Sequence, residues 1–210
     1  MGRHLVKLTS TSAAAALGAF FLAGSAIAQT MPSTDPKTVQ PGAYAVEPAH
    51  TRVQFSVTHF GFTTYWGDVT GVSGGLTLDP KSAAVDKVSV SIPVSSISTT
   101  NARLDGELKS PMFLDGTTYP TITFVSTSVK RTGPTTAVIV GDLTLHGVTK
   151  PVTLEAKFNA AGGNPMSKKY TVGFDAHGHF NRSDFGVKTY VPMVSDQVDI
   201  TISAAFEKAG

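Results

Sequence analysis

The chain has 210 residues, of which 41% are hydrophobic, and its formal net charge is +2. This length and composition suffice for one domain with a substantial core. The chain has no cysteine, which excludes disulfide bonds, thiolate metal sites and a thiol nucleophile. Its 17 basic and 15 acidic residues form no basic stripe, so we expect no nucleic-acid partner.

Residues 1–28 have the pattern of a secretory signal peptide. Positively charged residues precede an apolar run over 13–22, and small residues follow up to Ala28. These three regions in this order predict export and cleavage after Ala28. The apolar run is too short to favour a membrane span. Removing Arg3 and Lys7 with this segment lowers the formal charge of +2 to zero.

Residues 29–42 contain three prolines among polar residues and show no hydrophobic period. We interpret them as a flexible leader with at most polyproline II structure. The pattern of a folded domain then covers residues 43–208.

Short strands dominate this domain. Apolar and polar side chains alternate, which indicates strands because successive side chains point to opposite faces of a sheet. The predicted strands cover residues 44–46, 51–59, 65–78 as one or two strands, 88–92, 121–130, 135–145, 151–159, 170–181 and 198–206. Leu104 and Leu108 lie four apart behind the cap candidates Thr100 and Asn101, so one short helix is predicted near 99–114.

About eight antiparallel strands at short spacing fit an up-and-down barrel or a sandwich. Glycines inside strands, such as Gly71, Gly74 and Gly75, mark bends that let a sheet curl shut. Closure also removes unprotected strand edges. We therefore predict an all-β fold, an eight-stranded antiparallel barrel with one short helix, whose interior can hold one small ligand.

The strand from residue 170 has the clearest division into two faces. Phe174 and Phe180 share an apolar face, whereas Asp175, His177 and His179 share the opposite one. Two imidazoles and a carboxylate can bind a divalent cation, but a solvated outer face is the commoner arrangement. An apolar face that ends in a polar cluster suggests an apolar cavity with a polar rim.

Two positions near strand ends have two interpretations each. His59 continues the apolar face of Phe55 and Val57, and it is either a satisfied core residue or a contact to a ligand head group. Arg182 and Asp184 form either a structural latch between strand and loop or a contact to a head group, since arginine suits bidentate anion contacts.

No catalytic constellation is supported. Residues 71–75 match the G-x-S-x-G nucleophile elbow, but a strand follows them where the elbow requires a helix. We interpret this stretch as a bend in a barrel strand. The sequence has neither a phosphate-binding glycine loop nor an H-E-x-x-H motif. We expect a protein that is not an enzyme and that needs no cofactor or metal.

Seven short segments of the domain occur together in the order typical of one protein family, and this combination identifies the family more specifically than any single segment does. In chain order they are Pro48-Ala49-His50, Val53 to Val57 with His59, Gly74 to Leu78, Lys109-Ser110 with Phe113, Tyr119 to Phe124, Leu143 to Val152, and Asn181 to Gly186. In these segments the chain resembles the YceI-like family of bacterial periplasmic polyisoprenoid-binding proteins. The resemblance implies that the barrel is extended and lipocalin-like, and that it binds a long isoprenoid, quinone-like or fatty amphiphile in its interior.

We therefore predict a periplasmic carrier of such an amphiphile. The predicted ligand contacts are Phe55, Val57, His59, Phe124, Phe174, Phe180, Arg182, Asp184 and Phe185. A transient contact with the membrane and a homodimer are further partners that this role allows. The alternative is a stress-responsive periplasmic module, or an accessory to a membrane redox system, that acts through its outer surface.

Overall fold

The computed structural model describes residues 1–2 and 31–210. The predicted signal peptide lies, from residue 3 onward, outside the described residues. The strands are β1 Gly42–Val46, β2 Arg52–His59, β3 Thr63–Val69, β4 Ser73–Leu78, β5 Lys87–Pro93, β6 Thr121–Arg131, β7 Thr136–Leu145, β8 Val148–Gly163, β9 Tyr170–Asn181 and β10 Gln197–Lys208, with the helix α1 Ala102–Lys109 between β5 and β6. Short 3-10 helices cover Pro36–Thr38, Ala83–Val85, Val94–Ser96 and Arg182–Phe185.

Eight of these strands close a barrel. They follow one another as β1-β4-β5-β6-β7-β8-β9-β10, and β10 pairs again with β1, with all neighbours antiparallel. The C-terminal half of β10 pairs with β1, whereas its N-terminal half pairs with β2, which continues into β3 as a hairpin. The predicted all-β, eight-stranded antiparallel barrel with one short helix is confirmed.

Strict alternation along the strands explains which side chains face inward. In β8, four apolar residues at every second position are buried, and the residues between them are exposed: Val152, Leu154, Ala156 and Phe158. The same period in β9 buries Val172 completely and leaves Asp175, His177 and His179 on the outside. The predicted faces of β9 are therefore the observed ones.

The helix α1 lies across one end of the barrel. Its N-cap is Asn101, whose side chain accepts a hydrogen bond from the backbone of Leu104 at 3.3 Å, and it ends at Lys109, two residues before Pro111. We call this the helix end; it also carries the β2–β3 turn, 60–62, and the loop 187–196. Within the described residues, no helix has the length and hydropathy to cross a membrane.

The other end, which we call the segment end, carries residues 33–40 and the β4–β5, β6–β7 and β8–β9 connections. Ser33 and Ala161 exchange two backbone hydrogen bonds of 2.8 Å, and Val39 is buried in the core. Residues 33–40 therefore pack against the barrel instead of forming the flexible spacer expected from their composition. Two contacts explain this packing. Val39 is buried among apolar side chains of the core, and Ser33 pairs with backbone groups of Ala161 near the end of β8.

Candidate functional site

A cavity of about 850 Å³ occupies the barrel interior, within the size range of ligand pockets. All ten strands contribute inward side chains to its wall, and its lining residues reach both ends of the barrel. Between the ends the wall is almost wholly aliphatic or aromatic, for instance Val90, Ile139, Leu154 and Ile200. The arrangement can therefore shelter a hydrophobic chain from water.

Small residues on three neighbouring strands keep this space open. Ala156 on β8 pairs across the sheet with Ala176 on β9, and Ala204 on β10 pairs with Phe174; all four line the cavity. Elsewhere the large rings lie flat over glycines. A Cβ at Gly67 would clash with the ring of Phe55, and one at Gly141 with the ring of Phe124. The glycines thus let two aromatic rings lie against the wall.

Seven of the nine predicted ligand contacts line this cavity. They are Phe55, Val57, His59, Phe124, Phe174, Phe180 and Arg182. The structure brings them together from β2, β6, β9 and the turn that follows β9, as the alternation of each strand requires. Whether a ligand contacts them stays a prediction.

Asp184 and Phe185 lie outside the cavity lining, and a contact between either residue and a ligand stays a prediction. β9 ends at Asn181, and the chain then turns into a 3-10 helix, where alternation no longer decides which way a side chain points. Phe185 is 1% exposed and packs edge to face on Phe180 at 5.3 Å between ring centroids. The side chain of Asp184 is exposed.

Arg182 ties the loop 187–196 to the end of β9. Its guanidinium donates hydrogen bonds to the carbonyl oxygens of Ser195 at 2.9 Å, Val187 at 3.2 Å, Thr189 at 2.8 Å and Val194 at 2.9 Å. Four of its five N–H donors are thus used. The contacts are those of a structural latch, and they leave little capacity for an anionic head group.

Burial also affects the pKa of this group. Arg182 is 6% exposed, and burial lowers the pKa of its guanidinium, while the nearby carboxylate of Asp196 acts in the opposite direction. Asp196 itself accepts hydrogen bonds from the backbone of Ser183 at 2.8 Å and from its hydroxyl at 2.6 Å. The 3-10 helix and the loop are therefore bound to each other by polar contacts at two places.

His59 lies at the helix end, where it is exposed and also lines the cavity. Its ring contacts those of Phe60 and Tyr65, at 4.5 and 6.2 Å between centroids. The interpretation of His59 as a core residue is wrong, because β2 extends beyond the packed interior before it turns. The position suits a contact near the cavity mouth.

The outer histidines lie apart from this cavity. His177 Nε2 is 3.4 Å from Glu155 Oε2 on the neighbouring strand, and both His177 and His179 are exposed. Among the described residues, no group of three or more histidine or acidic side chains is placed to hold a metal ion. Ser73 begins β4, and its hydroxyl donates to Ser91 O at 3.3 Å, so the G-x-S-x-G stretch leads into a strand and not into a helix.

The sequence missed the lining residues that come from irregular segments. At the segment end they include Asp35, Pro36, Lys37 and Val39; at the helix end they include Phe113 and Tyr190. No period marks such positions. Leu104 and Leu108 did carry a signal, because their spacing predicts one face of a helix, and that face lines the cavity.

Comparison with known proteins places the chain in a family. The pattern of the YceI-like domain matches residues 44–206. Protein YceI of Shigella flexneri is 44% identical over 157 residues, which cover 75% of this chain and 81% of that protein.

Solved structures share the fold. BcnA of Burkholderia cenocepacia superimposes with a TM-score of 0.69 at 24% identity, covering 76% of this chain and 98% of that one. A polyisoprenoid binding domain from Saccharophagus degradans, implicated in plant cell wall breakdown, superimposes with a TM-score of 0.61 at 12% identity, covering 81% of this chain and 100% of that one. These two similarities show the fold, and the domain match together with the Shigella relative shows that the chain belongs to the YceI-like family.

Proposed function

We propose that this protein carries a long-chain amphiphile, an isoprenoid, quinone-like or fatty molecule, inside its barrel. The observation that carries the proposal is the apolar cavity of about 850 Å³ that extends between the two ends of the barrel. The similar fold of the Saccharophagus domain, which is named for polyisoprenoid binding, supports it. The proposed role is binding rather than catalysis and requires no cofactor.

Energetics favour recognition of the tail. Burial of one methylene contributes about 0.8 kcal/mol, whereas a neutral hydrogen bond nets only about 1 kcal/mol. A chain of several prenyl units therefore gains more from the cavity wall than its head group gains from any single polar contact, although ordering the chain offsets part of this gain. Chains of suitable length and different chemistry should compete for the site.

The polar groups of the cavity suit a neutral head group. Arg182 is committed to four carbonyls, as described above. At the segment end, Arg131 donates to Pro80 O at 2.7 Å and Asp79 O at 2.6 Å, and it pairs with the carboxylate of Asp86 at 3.0 Å. Both arginines of the lining thus hold the protein together. The other charged side chains of the lining, Lys37 and Lys87 against Asp35, Asp79 and Glu107, leave no net positive charge, so a hydroxyl or quinone head group is a better candidate than a phosphate.

The proposed place of action is the periplasm. The signal-peptide pattern of residues 1–28 supports export, and the resemblance to periplasmic proteins supports the periplasm as the destination. A carrier there would move its amphiphile through the aqueous space that lies between two membranes.

Native mass spectrometry of the protein purified from its bacterial cells tests the proposal. We expect one bound amphiphile per chain, released by solvent and identified as an isoprenoid, quinone or fatty chain. The variant Ala176→Phe adds a ring inside the cavity and should lose the bound mass. His177→Phe adds a ring one residue away, on the exposed outer face of β9, and should keep it.

The opposite results would overturn the proposal. A folded wild-type protein that is free of lipid, and that also refuses added prenyl alcohols, has no carrier function. Equal lipid content in folded Ala176→Phe and His177→Phe would mean that the amphiphile lies outside the barrel, and the outer surface would then be the place to look for function.

A further inference from the structure

Large apolar side chains are concentrated on the surface of the helix end. Five of them form what we call the collar: Phe60 is 48% exposed, Phe62 88%, Met112 45%, Tyr190 50% and Met193 53%. Isolated apolar residues on a surface are normal, but a contiguous group marks a site of interaction. Here the group comes from three separate segments of the chain.

Hydrogen bonds hold these three segments together. The backbone of Phe60 in the β2–β3 turn donates to Met193 O at 2.7 Å. The hydroxyl of Thr189 donates to Met112 O at 2.6 Å. The collar is thus a defined surface, built from the turn 60–62, the residues after α1 and the loop that Arg182 anchors.

The collar borders the cavity. Tyr190 belongs to both, since its side chain lines the cavity and is half exposed. Phe113, whose ring centroid lies 6.1 Å from that of Tyr190, also lines the cavity, as does His59 beside Phe60. A hydrophobic chain that leaves the cavity at this end therefore meets apolar side chains before it meets water.

The segment end has the opposite character. Residues 33–40 cover part of it, and its connections and strand ends carry many lysines and arginines: Lys37, Lys81, Lys87, Lys130, Arg131, Lys168, Lys169 and Lys208. The collar segments 60–62, 112–113 and 189–194 contain no charged residue. The helix end does carry charges beside the collar, namely Arg103, Glu107 and Lys109 of α1 and Lys188 of the loop. The collar segments themselves can leave water at a lower desolvation cost than the segment end.

We propose that the protein docks with its collar on a lipid bilayer, so that the amphiphile passes between membrane and cavity without crossing water. This inference rests on the proposed function. A bilayer is favoured over a protein partner because the collar borders the cavity and its segments contain no charged residue that would select a partner. Trp66, 54% exposed on β3, stands roughly 13 Å along the chain from Phe62, at about 3.3 Å per residue, where the polar interface of a membrane would suit an indole ring.

Binding to phosphatidylcholine vesicles tests the docking. Trp66 is the only tryptophan, so its emission should shift to the blue when neutral vesicles are added, at low and at physiological salt alike. Phe62→Glu should weaken the partitioning by about tenfold or more, because an aromatic ring that docking would bury in the bilayer is replaced by a charge. Met166→Glu is the matched control: Met166 is equally exposed at 88% but lies at the segment end, and its variant should bind as the wild type does.

Other outcomes would overturn the docking. Equal binding by Phe62→Glu and Met166→Glu would exclude the collar. Binding only to anionic phosphatidylglycerol vesicles, and lost at high salt, would assign the contact to the lysines of the segment end. A Phe62→Glu change that only dissociates a dimer, seen by sedimentation, would assign the collar to a second copy of the chain.

The same variants separate this inference from the carrier function. Phe62→Glu should retain a prenyl alcohol supplied in solution, because its side chain lies outside the cavity, while its uptake from vesicles should slow by about the factor by which partitioning falls. Collar-dependent vesicle binding by a protein that holds no amphiphile would refute the carrier function and support the docking.

Discussion

The guanidinium of Arg182 donates hydrogen bonds to the loop 187–196 and does not form part of an open cavity rim. Four backbone carbonyls of that loop would lose their donor if it were removed, and they lie where the protein excludes most water. Unsatisfied buried polar groups cost more than the net gain of a hydrogen bond. The loop in turn supplies Tyr190 and Val194 to the cavity wall, so this one residue couples stability to the shape of the site.

We expect Arg182→Lys to lower the free energy of unfolding by about 3 kcal/mol, since an ammonium cannot reproduce the fork of donors. Urea denaturation monitored by circular dichroism measures this. The control is Arg103→Lys, which alters an exposed ion pair with Glu107 in α1 and should cost about 0.5 kcal/mol or less. Equal losses in the two variants would contradict the latch.

The sequence could not decide the roles of the individual residues at the end of β9. It placed Arg182 next to an apolar strand face but left the latch and the head-group contact open, because the partners are backbone carbonyls of an aperiodic loop. Asp184 and Phe185 were expected next to the cavity and lie outside its lining for a related reason. Strand alternation predicts side-chain direction only as far as the end of β9. The sequence has no pattern that predicts the 3-10 helix that follows.

Elements were predicted better than residues wherever a period or a cap existed. β8 and β9 show a period of two, and Asn101 caps α1 as expected. The hairpin β2–β3 was recognised as strands, but its position outside the closed ring depends on β10 pairing with two partners in turn, which no local pattern encodes. Residues 33–40 are a second case that local sequence did not decide. Their composition predicted a flexible leader, but the contacts that hold them against the barrel are with residues distant in sequence.

Tyr44 is one of the residues that hold this N-terminal segment. It is 2% exposed, and its hydroxyl donates to Gln40 O. Burial, together with the neighbouring Tyr170, raises the pKa of Tyr44 to about 12 from its ordinary value of 10.0. Because the folded state holds this proton more tightly than the unfolded state, its stabilising contribution is complete below pH 10 and is lost as the pH rises toward 12.

Tyr44→Phe should therefore change how stability depends on pH. At pH 8 the variant should lose about 1 kcal/mol with its hydrogen bond, and between pH 10 and 12 its stability should fall less steeply than that of the wild type. Thermal unfolding measured across this range gives the comparison. Parallel curves for the two proteins would mean that Tyr44 ionises as easily in the folded state as in the unfolded one.

At the scale of the whole molecule, the barrel has two unlike ends joined by an apolar interior. The closure of the sheet into a barrel could be predicted from the strand count and the glycines. The difference in surface character between the two ends could not, because each end is formed by turns that are distant in sequence. A protein built this way leaves a large interior surface without partner atoms unless a ligand supplies them. An empty cavity of this kind forgoes dispersion contacts, so the bound amphiphile should also support the fold.

Removal of the amphiphile should accordingly lower the melting temperature. A ligand present at a hundred times its Kd stabilises the folded state by about 2.7 kcal/mol, which corresponds to roughly 5–10 °C for a domain of this size. Differential scanning calorimetry before solvent extraction, after it, and after refilling with prenyl alcohols of increasing length measures the effect. The gain should grow with chain length until the cavity of about 850 Å³ is filled, because each further methylene is buried only while space remains. Ala176→Phe should melt at the same temperature with and without added lipid, and a wild-type protein whose melting temperature ignores both extraction and refilling would show that no amphiphile is held inside the barrel.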